Sequence, residues 1–296
     1  MKLVVFATVL AWLAIGPRVG TRVVMLGTGT PNNDPDRSGP SVAIVVDTDV
    51  YIVDAGPGVV RRAALAERND SLSALDVRHL NRVFLTHLHS DHTTGLPDLM
   101  LSPWVLERPG PLEVFGPPGT ARMVDLLTQA YSEDIEIRLH GGEPKNKSTP
   151  VAVAHDSKPG VVYRDGNVTV TAFEVAHGNW GHAYGYVFQT RDRKIVISGD
   201  TRPSNAVVDA CSGCDVLVHE VYSAERFTAR SAEWKAYHSR YHTSTYELGD
   251  VAARARPKLL LLYHQLFWGD DDAGLVRQVK TRFGGIVVSA KDLGVY

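Results

Sequence analysis

The chain has 296 residues, of which 44% are hydrophobic and 22% are charged. Its 31 basic and 33 acidic residues leave a formal net charge of -2. These values exclude a chain kept disordered by high net charge, and a protein held to nucleic acid by bulk positive charge alone. Two cysteines exclude a small fold stapled by disulfides.

An apolar run from Leu3 to Ile15 follows Lys2 and ends at Gly16. About 13 residues are too few for a comfortable membrane span of about 20, but they are typical of a secretory signal. We therefore predict that residues 1–20 are a signal peptide or a membrane-tethering segment, so that the protein is exported. The alternative is an extra apolar strand, in which case the protein would be cytoplasmic.

Short runs rich in Val, Ile, Leu and Tyr alternate with helical segments along residues 21–296, which we treat as one domain. Predicted strands, in chain order, are Arg22–Leu26, Val42–Val46, Tyr51–Val53, Arg82–Thr86, Leu112–Phe115, Val168–Val175, Tyr184–Gln189, Ile195–Ser198, Val216–His219 and Leu259–Tyr263. Predicted helices are Gly58–Arg68, Thr120–Ala130, Ser223–Tyr237, Tyr246–Arg254 and Ala273–Phe283. Strands mixed with covering helices predict layered α/β packing.

Two stretches depart from this alternation. The segment His140–Gly160 is polar and contains Pro, Gly and Lys, which predicts a surface loop or lid. Cys211 and Cys214 form a single Cys-x-x-Cys, whereas a zinc ribbon needs two such pairs. We therefore expect a loop disulfide or two buried thiols at this position, not a metal or redox site.

The strongest chemical signal is the segment 86–92, Thr-His-Leu-His-Ser-Asp-His, which directly follows a predicted strand. Loops at strand ends are where α/β folds place their chemistry. Neutral imidazole and carboxylate are ligands that zinc accepts. On a sharply turning backbone, His87 and His89 would project together, and Asp91 and His92 would project into a neighbouring site. This geometry predicts two metal ions.

One loop cannot complete two coordination spheres, so further ligands are expected at other strand ends. His177, Asp200 and His264 each come just after a β run, which repeats the position of His87. Taken together with the histidine cluster, these three residues are predicted to complete the site.

The pattern His-x-His-x-Asp-His, followed in order by His177, Asp200 and His264, resembles the metallo-β-lactamase superfamily. The resemblance covers nearly all of residues 21–296 and implies an αββα four-layer sandwich with a two-zinc site at one edge. It implies that the first zinc is bound by His87, His89 and His177, that the second is bound by Asp91, His92 and His264, and that Asp200 bridges them.

Five short motifs resemble the ribonuclease Z and arylsulfatase-like branch: 26–31, 53–58, 116–120, 218–221 and 241–244. Within the second motif, Asp54 is expected to orient the metal loop. The resemblance implies that His242, held by Glu220, assists the leaving group by donating a proton or hydrogen bond to developing negative charge. His219 is interpreted as a supporting or core histidine.

These features predict a hydrolase with two Zn²⁺ ions per chain, with Mn or Fe as substitutes, that acts through a metal-bridging hydroxide oriented by Asp91. Phosphodiesters are the first expected substrates and aryl sulfates the second. A β-lactam or lactone hydrolase on the same scaffold is an alternative, and a non-catalytic metal-binding protein is a second one.

The expected partner is a small-molecule or nucleotide ester. RNA is not favoured for two reasons. The resemblance to ribonuclease Z implies a long Gly/Pro-rich arm that grips transfer RNA, and the interval from Gly119 to His177 has no such arm. The charge balance is also slightly acidic. A homodimer is a further possible assembly. Trp104, Trp180, Phe267 and Trp268 are candidates for an apolar substrate wall or for the core.

Overall fold

The structure, a computed structural model, describes residues 20–68, 70–143 and 150–296. Residues 1–19, which hold nearly all of the predicted signal peptide, lie outside the described residues, so that assignment stays a prediction. Among the described helices, none combines the length and the apolar character that a membrane span requires.

Thirteen strands and ten α-helices make up the described chain. The strands are β1 (Arg22–Gly27), β2 (Ser41–Val46), β3 (Asp49–Val53), β4 (Arg82–Phe84), β5 (Leu112–Gly116), β6 (Ala152–Asp156), β7 (Gly160–Arg164), β8 (Val168–Glu174), β9 (Tyr184–Thr190), β10 (Lys194–Ile197), β11 (Val216–Tyr222), β12 (Leu259–Leu266) and β13 (Ile286–Ser289). The helices are α1 (Val59–Glu67), α2 (Ser90–Thr93), α3 (Leu96–Val105), α4 (Thr120–Ala130), α5 (Ser132–His140), α6 (Asn205–Cys211), α7 (Ala224–Phe227), α8 (Ala232–Tyr241), α9 (Thr245–Ala255) and α10 (Asp272–Lys280). Two 3-10 segments, Asp70–Leu75 and Val77–His79, precede β4.

The strands form two mixed sheets. The first has the order β1-β2-β3-β4-β5-β6, and the second has the order β13-β12-β11-β10-β9-β8-β7. Strands β3 to β6 are parallel, as are β10 to β13, and β8 runs in the same direction as β10 because both pair antiparallel with β9. The carboxyl ends of several strands therefore meet at one edge of each sheet, which is where such folds form binding sites.

Three hydrophobic clusters separate four layers. Along β1, Val23 and Met25 belong to the cluster between the two sheets, whereas Val24 and Leu26 belong to the cluster under α1 and α3. This alternation follows from the two-residue period of a strand. A third cluster packs β11 and β12 against α6, α9 and α10. The order is helices, sheet, sheet, helices, which confirms the αββα sandwich.

Two predicted elements are wrong: a predicted loop that contains a strand, and a predicted helix that is divided in two. The stretch predicted as a surface loop, His140–Gly160, contains β6, which pairs in parallel with β5 at the edge of the first sheet. An edge strand needs only one neighbour, so β6 stays partly exposed and lacks an apolar pattern. The helix predicted over Ser223–Tyr237 is two helices, because Ser231 caps a new one by accepting a hydrogen bond from the Trp234 N–H at 3.4 Å.

The cysteine pair lies at the end of α6. A disulfide joins Cys211 and Cys214, and both residues are buried in the cluster between the second sheet and its helices. This is one of the two states that the sequence predicted.

Candidate metal centre and catalytic pocket

The predicted ligands come from both sheets. The first sheet contributes the loop after β4, with His87 and His89, and the short helix α2, with Asp91 and His92. The second sheet contributes His177 after β8, Asp200 after β10, and His264 within β12. The structure therefore brings all seven residues to the edge where the two sheets meet.

Local backbone irregularities aim two of these side chains. In the pairing of β11 with β12, Glu220 lies opposite Tyr263 and Val221 opposite Gln265, so His264 is the extra residue of a β-bulge and has a positive φ of 46°. Bulges commonly re-aim a side chain beside an active site. Gly199, at φ 60°, turns the chain before Asp200, and a Cβ there would lie 2.6 Å from the carbonyl oxygen of Tyr184.

One group of donors surrounds His89. Its Nδ1 lies 2.9 Å from Nε2 of His87 and 3.1 Å from Nε2 of His177. With Asp200, these residues offer four ligand atoms within 4.8 Å of one another. Burial lowers the pKa of His87 well below its usual value and that of His177 to about 4, so both imidazoles are neutral, as a metal ligand must be.

A second group lies beside it. Nε2 of His264 lies 3.1 Å from Oδ2 of Asp91, and Nε2 of His92 lies 3.5 Å from the same oxygen. The ligand atoms of these three buried residues also lie within 4.8 Å of one another. Asp200, His242 and His264 form a third such group, so the two sets that the sequence resemblance implies overlap in space at Asp200 and His264.

Asp200 lies between the two groups. Its Oδ2 is within 4.0 Å of a ring nitrogen of five histidines: His87, His92, His177, His242 and His264. Burial would raise the pKa of Asp200, but the imidazoles of His264 and His92 hold it well below its usual value, so the carboxylate is charged. Its Oδ1 and the Nε2 of His92 are buried without a hydrogen-bond partner among the described residues. Buried polar atoms without partners are rare, and bound cations would satisfy these.

Hydrogen bonds behind the donors set the histidine tautomers. The Nδ1–H of His92 donates to Oδ2 of Asp54 at 2.8 Å, and the Nδ1–H of His177 donates to the carbonyl oxygen of Tyr241 at 2.8 Å. In a neutral ring, both bonds leave the lone pair on Nε2, which faces the centre. Burial opposes protonation of His92, but Asp200 and its neighbouring carboxylates raise its pKa well above the usual value, so a cation bound there would displace a proton. The predicted orienting role of Asp54 therefore has a clear geometric basis.

His89 differs from these two histidines. The indole N–H of Trp180 donates to its Nε2 at 2.8 Å. A neutral imidazole that binds a cation through Nδ1 carries its proton on Nε2. The Nε2 of His89 would then be a donor and could no longer accept the hydrogen bond from Trp180, so this bond and ligation through Nδ1 exclude each other. Cation binding therefore requires Trp180 to give up this bond.

Glu220 and His242 form the second predicted pair. Oε1 of Glu220 accepts hydrogen bonds from the backbone N–H groups of Thr201 and Thr243 at 3.2 and 2.9 Å, and Oε2 lies 3.4 Å from Nδ1 of His242. Burial lowers the pKa of His242 to about 4, and burial together with Asp200 raises that of Glu220 well above its usual value. His219 lies outside this pair, because its Nδ1 bonds to the carbonyl oxygen of Glu220 at 2.7 Å.

A cavity of about 390 Å³ opens beside the centre. Its floor contains His89, Asp91, Asp200, His242 and His264, and its wall contains Arg230, Trp234, Tyr237, His238 and Trp268. This volume lies in the range of small-molecule sites. Because the Nδ1 of His242 is buried against carboxylates, Nε2 is the ring nitrogen that the cavity can reach.

Most of this wall was missed by sequence reasoning. Of the four aromatic residues proposed for it, only Trp268 lines the cavity, while Trp104 is fully buried in the core under the first sheet. His238 is buried and packs against Trp268 at 4.7 Å. The signal was the i, i+3, i+4 spacing of Trp234, Tyr237 and His238, which places them on one face of α8.

The chain matches known proteins along most of its length. Residues 50–265 match the family described as the β-lactamase superfamily domain. A protein from Mycobacterium marinum named ribonuclease Z is 32% identical over 277 residues, which cover 92% of this chain and 96% of that protein.

Solved structures share the fold. The metallo-β-lactamase fold protein YhfI from Bacillus subtilis has a TM-score of 0.71 at 18% identity, over 93% of this chain and 98% of that one. The short form of human tRNase Z has a TM-score of 0.68 at 21% identity, over 93% and 98% of the two chains. The chain therefore belongs to the β-lactamase superfamily, as a ribonuclease Z-like hydrolase with the metallo-β-lactamase fold.

Proposed function

We propose that this protein hydrolyses phosphodiester bonds with the help of two divalent cations, zinc in the first instance. One observation carries the proposal: a single oxygen of Asp200 lies within 4.0 Å of nitrogens from five histidines, between two groups of donors. A carboxylate in that position is suited to join two cation sites.

The distances between ligand atoms assign the donors to two cations. His87, His89 and His177 would hold one cation, Asp91, His92 and His264 the other, and Asp200 would contact both. Imidazole and carboxylate together suit zinc, and also manganese or iron. When bound, such cations supply Lewis-acid polarisation of the ester and lower the pKa of water toward neutrality.

The chain's own groups supply the rest of the chemistry. Glu220, fixed by two backbone N–H groups, positions the His242 ring so that Nε2 faces the cavity. A proton or hydrogen bond from Nε2 would offset the charge that develops on the leaving oxygen. Asp91, at the floor of the same cavity, would orient the attacking water as well as bind a cation.

The proposal of phosphodiesters rests on the relatives and on the cavity. The relatives named ribonuclease Z act, by that name, on RNA, which restores RNA to the candidate substrates that the charge balance did not favour. The aromatic wall and the volume of about 390 Å³ suit a nucleotide-sized group. Aryl sulfates remain the second candidate, and lactones and β-lactams the third.

The test combines metal analysis with a substrate panel. Purified protein is loaded with zinc, analysed for bound metal, and assayed on bis(p-nitrophenyl) phosphate, a short RNA, an aryl sulfate, a lactone and a β-lactam. We expect two zinc ions per chain and the highest kcat/KM on a phosphodiester, with activity lost to a chelator and restored by zinc. Less than one tightly bound ion, or a clear preference for another ester class, would refute the proposal.

A further inference from the structure

Arg230 occupies an unusual position in the cavity wall. It lies between α7 and α8, and its guanidinium stacks over the rings of Trp268 at 5.0 Å and Trp234 at 5.6 Å. Stacking on two aromatic faces holds the planar cation in place without neutralising it. Arg230 is the single Lys or Arg among the residues that line this cavity.

No partner in the described chain neutralises this cation. The Nε of Arg230 is buried and makes no hydrogen bond, and no described carboxylate lies within 4.0 Å of the guanidinium. Other partly buried arginines differ in this respect: Arg37 pairs with Asp272 at 3.1 Å and Arg82 pairs with Asp49 at 3.2 Å. The half-buried guanidinium of Arg230 therefore has donors available for an anionic ligand, which would form charge-assisted hydrogen bonds with it.

The Arg230 guanidinium lies outside the group of residues proposed to carry out the reaction. The ring of His238 packs against Trp234 at 5.4 Å and Trp268 at 4.7 Å on one side, and against His242 at 5.6 Å on the other. His238 therefore lies between the stacked guanidinium and the residue proposed to serve the leaving group. An anion bound at Arg230 would be a different group from the ester that reacts.

We infer that Arg230 is a specificity-determining residue that binds a second phosphate of the substrate, next to the scissile phosphodiester. The inference rests on the proposed function only in placing the ester in this cavity. A guanidinium presents a planar fork of donors that matches phosphate oxygens in pairs. Trp234, which is 49% exposed and lines the same cavity, can contact the nucleoside that joins the two phosphates.

Two substrates with one leaving group test the inference. The p-nitrophenyl ester of thymidine 5′-phosphate carries only the scissile phosphate, and the same ester with an added 3′-phosphate carries a second one. We expect the zinc-loaded wild type to prefer the second substrate by about tenfold in kcat/KM, through KM, which corresponds to about 1.4 kcal/mol for one charge-assisted bidentate contact.

Three variants separate Arg230 from general charge effects. Arg230→Gln should lose the preference, so that the ratio of kcat/KM for the two esters falls to about one. Arg230→Lys should keep part of the preference, because it retains the charge but not the fork. Arg226→Gln, an exposed change on α7 outside the cavity, should behave as wild type. A preference that persists in Arg230→Gln, or that disappears equally in Arg226→Gln, would overturn the inference.

A binding measurement keeps this test independent of turnover. Thymidine 3′,5′-bisphosphate and thymidine 5′-phosphate are titrated calorimetrically into zinc-loaded wild type and Arg230→Gln. The inference requires tighter binding of the bisphosphate by wild type alone; equal affinities in both proteins would refute it even if the ester is turned over. Failure of turnover with this binding difference intact would instead count against the proposed phosphodiesterase function.

The second phosphate can belong to a mononucleotide or to the next residue of an RNA chain. A third ester, in which the 3′-phosphate is joined to another thymidine, distinguishes these sources. A preference limited to the terminal phosphate identifies small nucleotides, and an equal preference for the internal phosphate identifies a polymer. In both cases Arg230→Gln should abolish the preference, and an unchanged preference would overturn the inference.

Discussion

Asp54→Asn probes the hydrogen bonds behind the candidate metal centre without changing side-chain size. Asp54 follows β3 and is buried, and its two oxygens accept from three groups: the Thr86 N–H at 2.8 Å, the Thr86 hydroxyl at 2.9 Å, and the His92 Nδ1–H at 2.8 Å. An asparagine has one oxygen, so its NH₂ group must face either the Thr86 N–H or the His92 Nδ1–H.

Each orientation has a calculable cost. If the amide oxygen faces His92, the buried Thr86 N–H loses its acceptor, which costs about 1–3 kcal/mol of stability. If the amide oxygen faces Thr86, His92 must move its proton to Nε2, where it blocks the lone pair aimed at the centre. Loss of such an orienting contact lowers metal affinity about 10–100-fold, which is about 1.4–2.7 kcal/mol.

The assay measures both quantities. Zinc affinity is determined by competition with a chromophoric chelator, and the free energy of unfolding is determined by urea denaturation of the metal-free protein. Asp49→Asn is the matched control, since it removes the same charge at the other end of β3, where Asp49 pairs with Arg82. A zinc affinity and an unfolding midpoint for Asp54→Asn that both equal the wild-type values would refute the reasoning.

Four further changes follow from other contacts. Asp200→Ala should reduce bound zinc below one ion per chain by metal analysis, because five imidazoles lose their shared carboxylate; full occupancy would contradict this. His242→Ala should keep zinc but slow turnover mainly for poor leaving groups, and equal slowing for good ones would argue against proton donation. Arg108→Met should lower the free energy of unfolding by about 3 kcal/mol in urea, since the buried guanidinium donates to the carbonyl oxygens of Leu99 and Val151 at 2.9 and 2.8 Å; an unchanged midpoint would contradict this. Zinc titration should change the fluorescence of wild type but much less that of Trp180→Phe, and identical changes would show that the Trp180–His89 bond does not break.

The candidate centre was largely predictable because its donors are of unusual type and follow strands. His87, Asp200 and their neighbours combine ligand chemistry with a position that the parallel pairing of strands brings to one edge. The division between the two donor groups came from a family resemblance, since spacing along the chain does not show which side chains meet in space.

The cavity wall and some strand edges were not predictable in the same way. Arg230 and His238 are polar residues on a mostly exposed helical segment, and nothing local shows that Trp268, thirty or more positions away, packs against them. Strand β6 was missed because an edge strand is specified by pairing with β5 rather than by its own apolar pattern. In both cases the deciding contacts are tertiary.

The division of donors between the sheets has a mechanical consequence. Of the seven candidate ligands, four follow β4 of the first sheet and three belong to the second sheet, so cations bound there would link the two halves of the sandwich. Ions present at a hundred times their dissociation constant would add about 2.7 kcal/mol to the resistance against unfolding. Removal of these ions would weaken the interface between the two halves. A shortage of metal would then shorten the lifetime of the protein in addition to abolishing its activity.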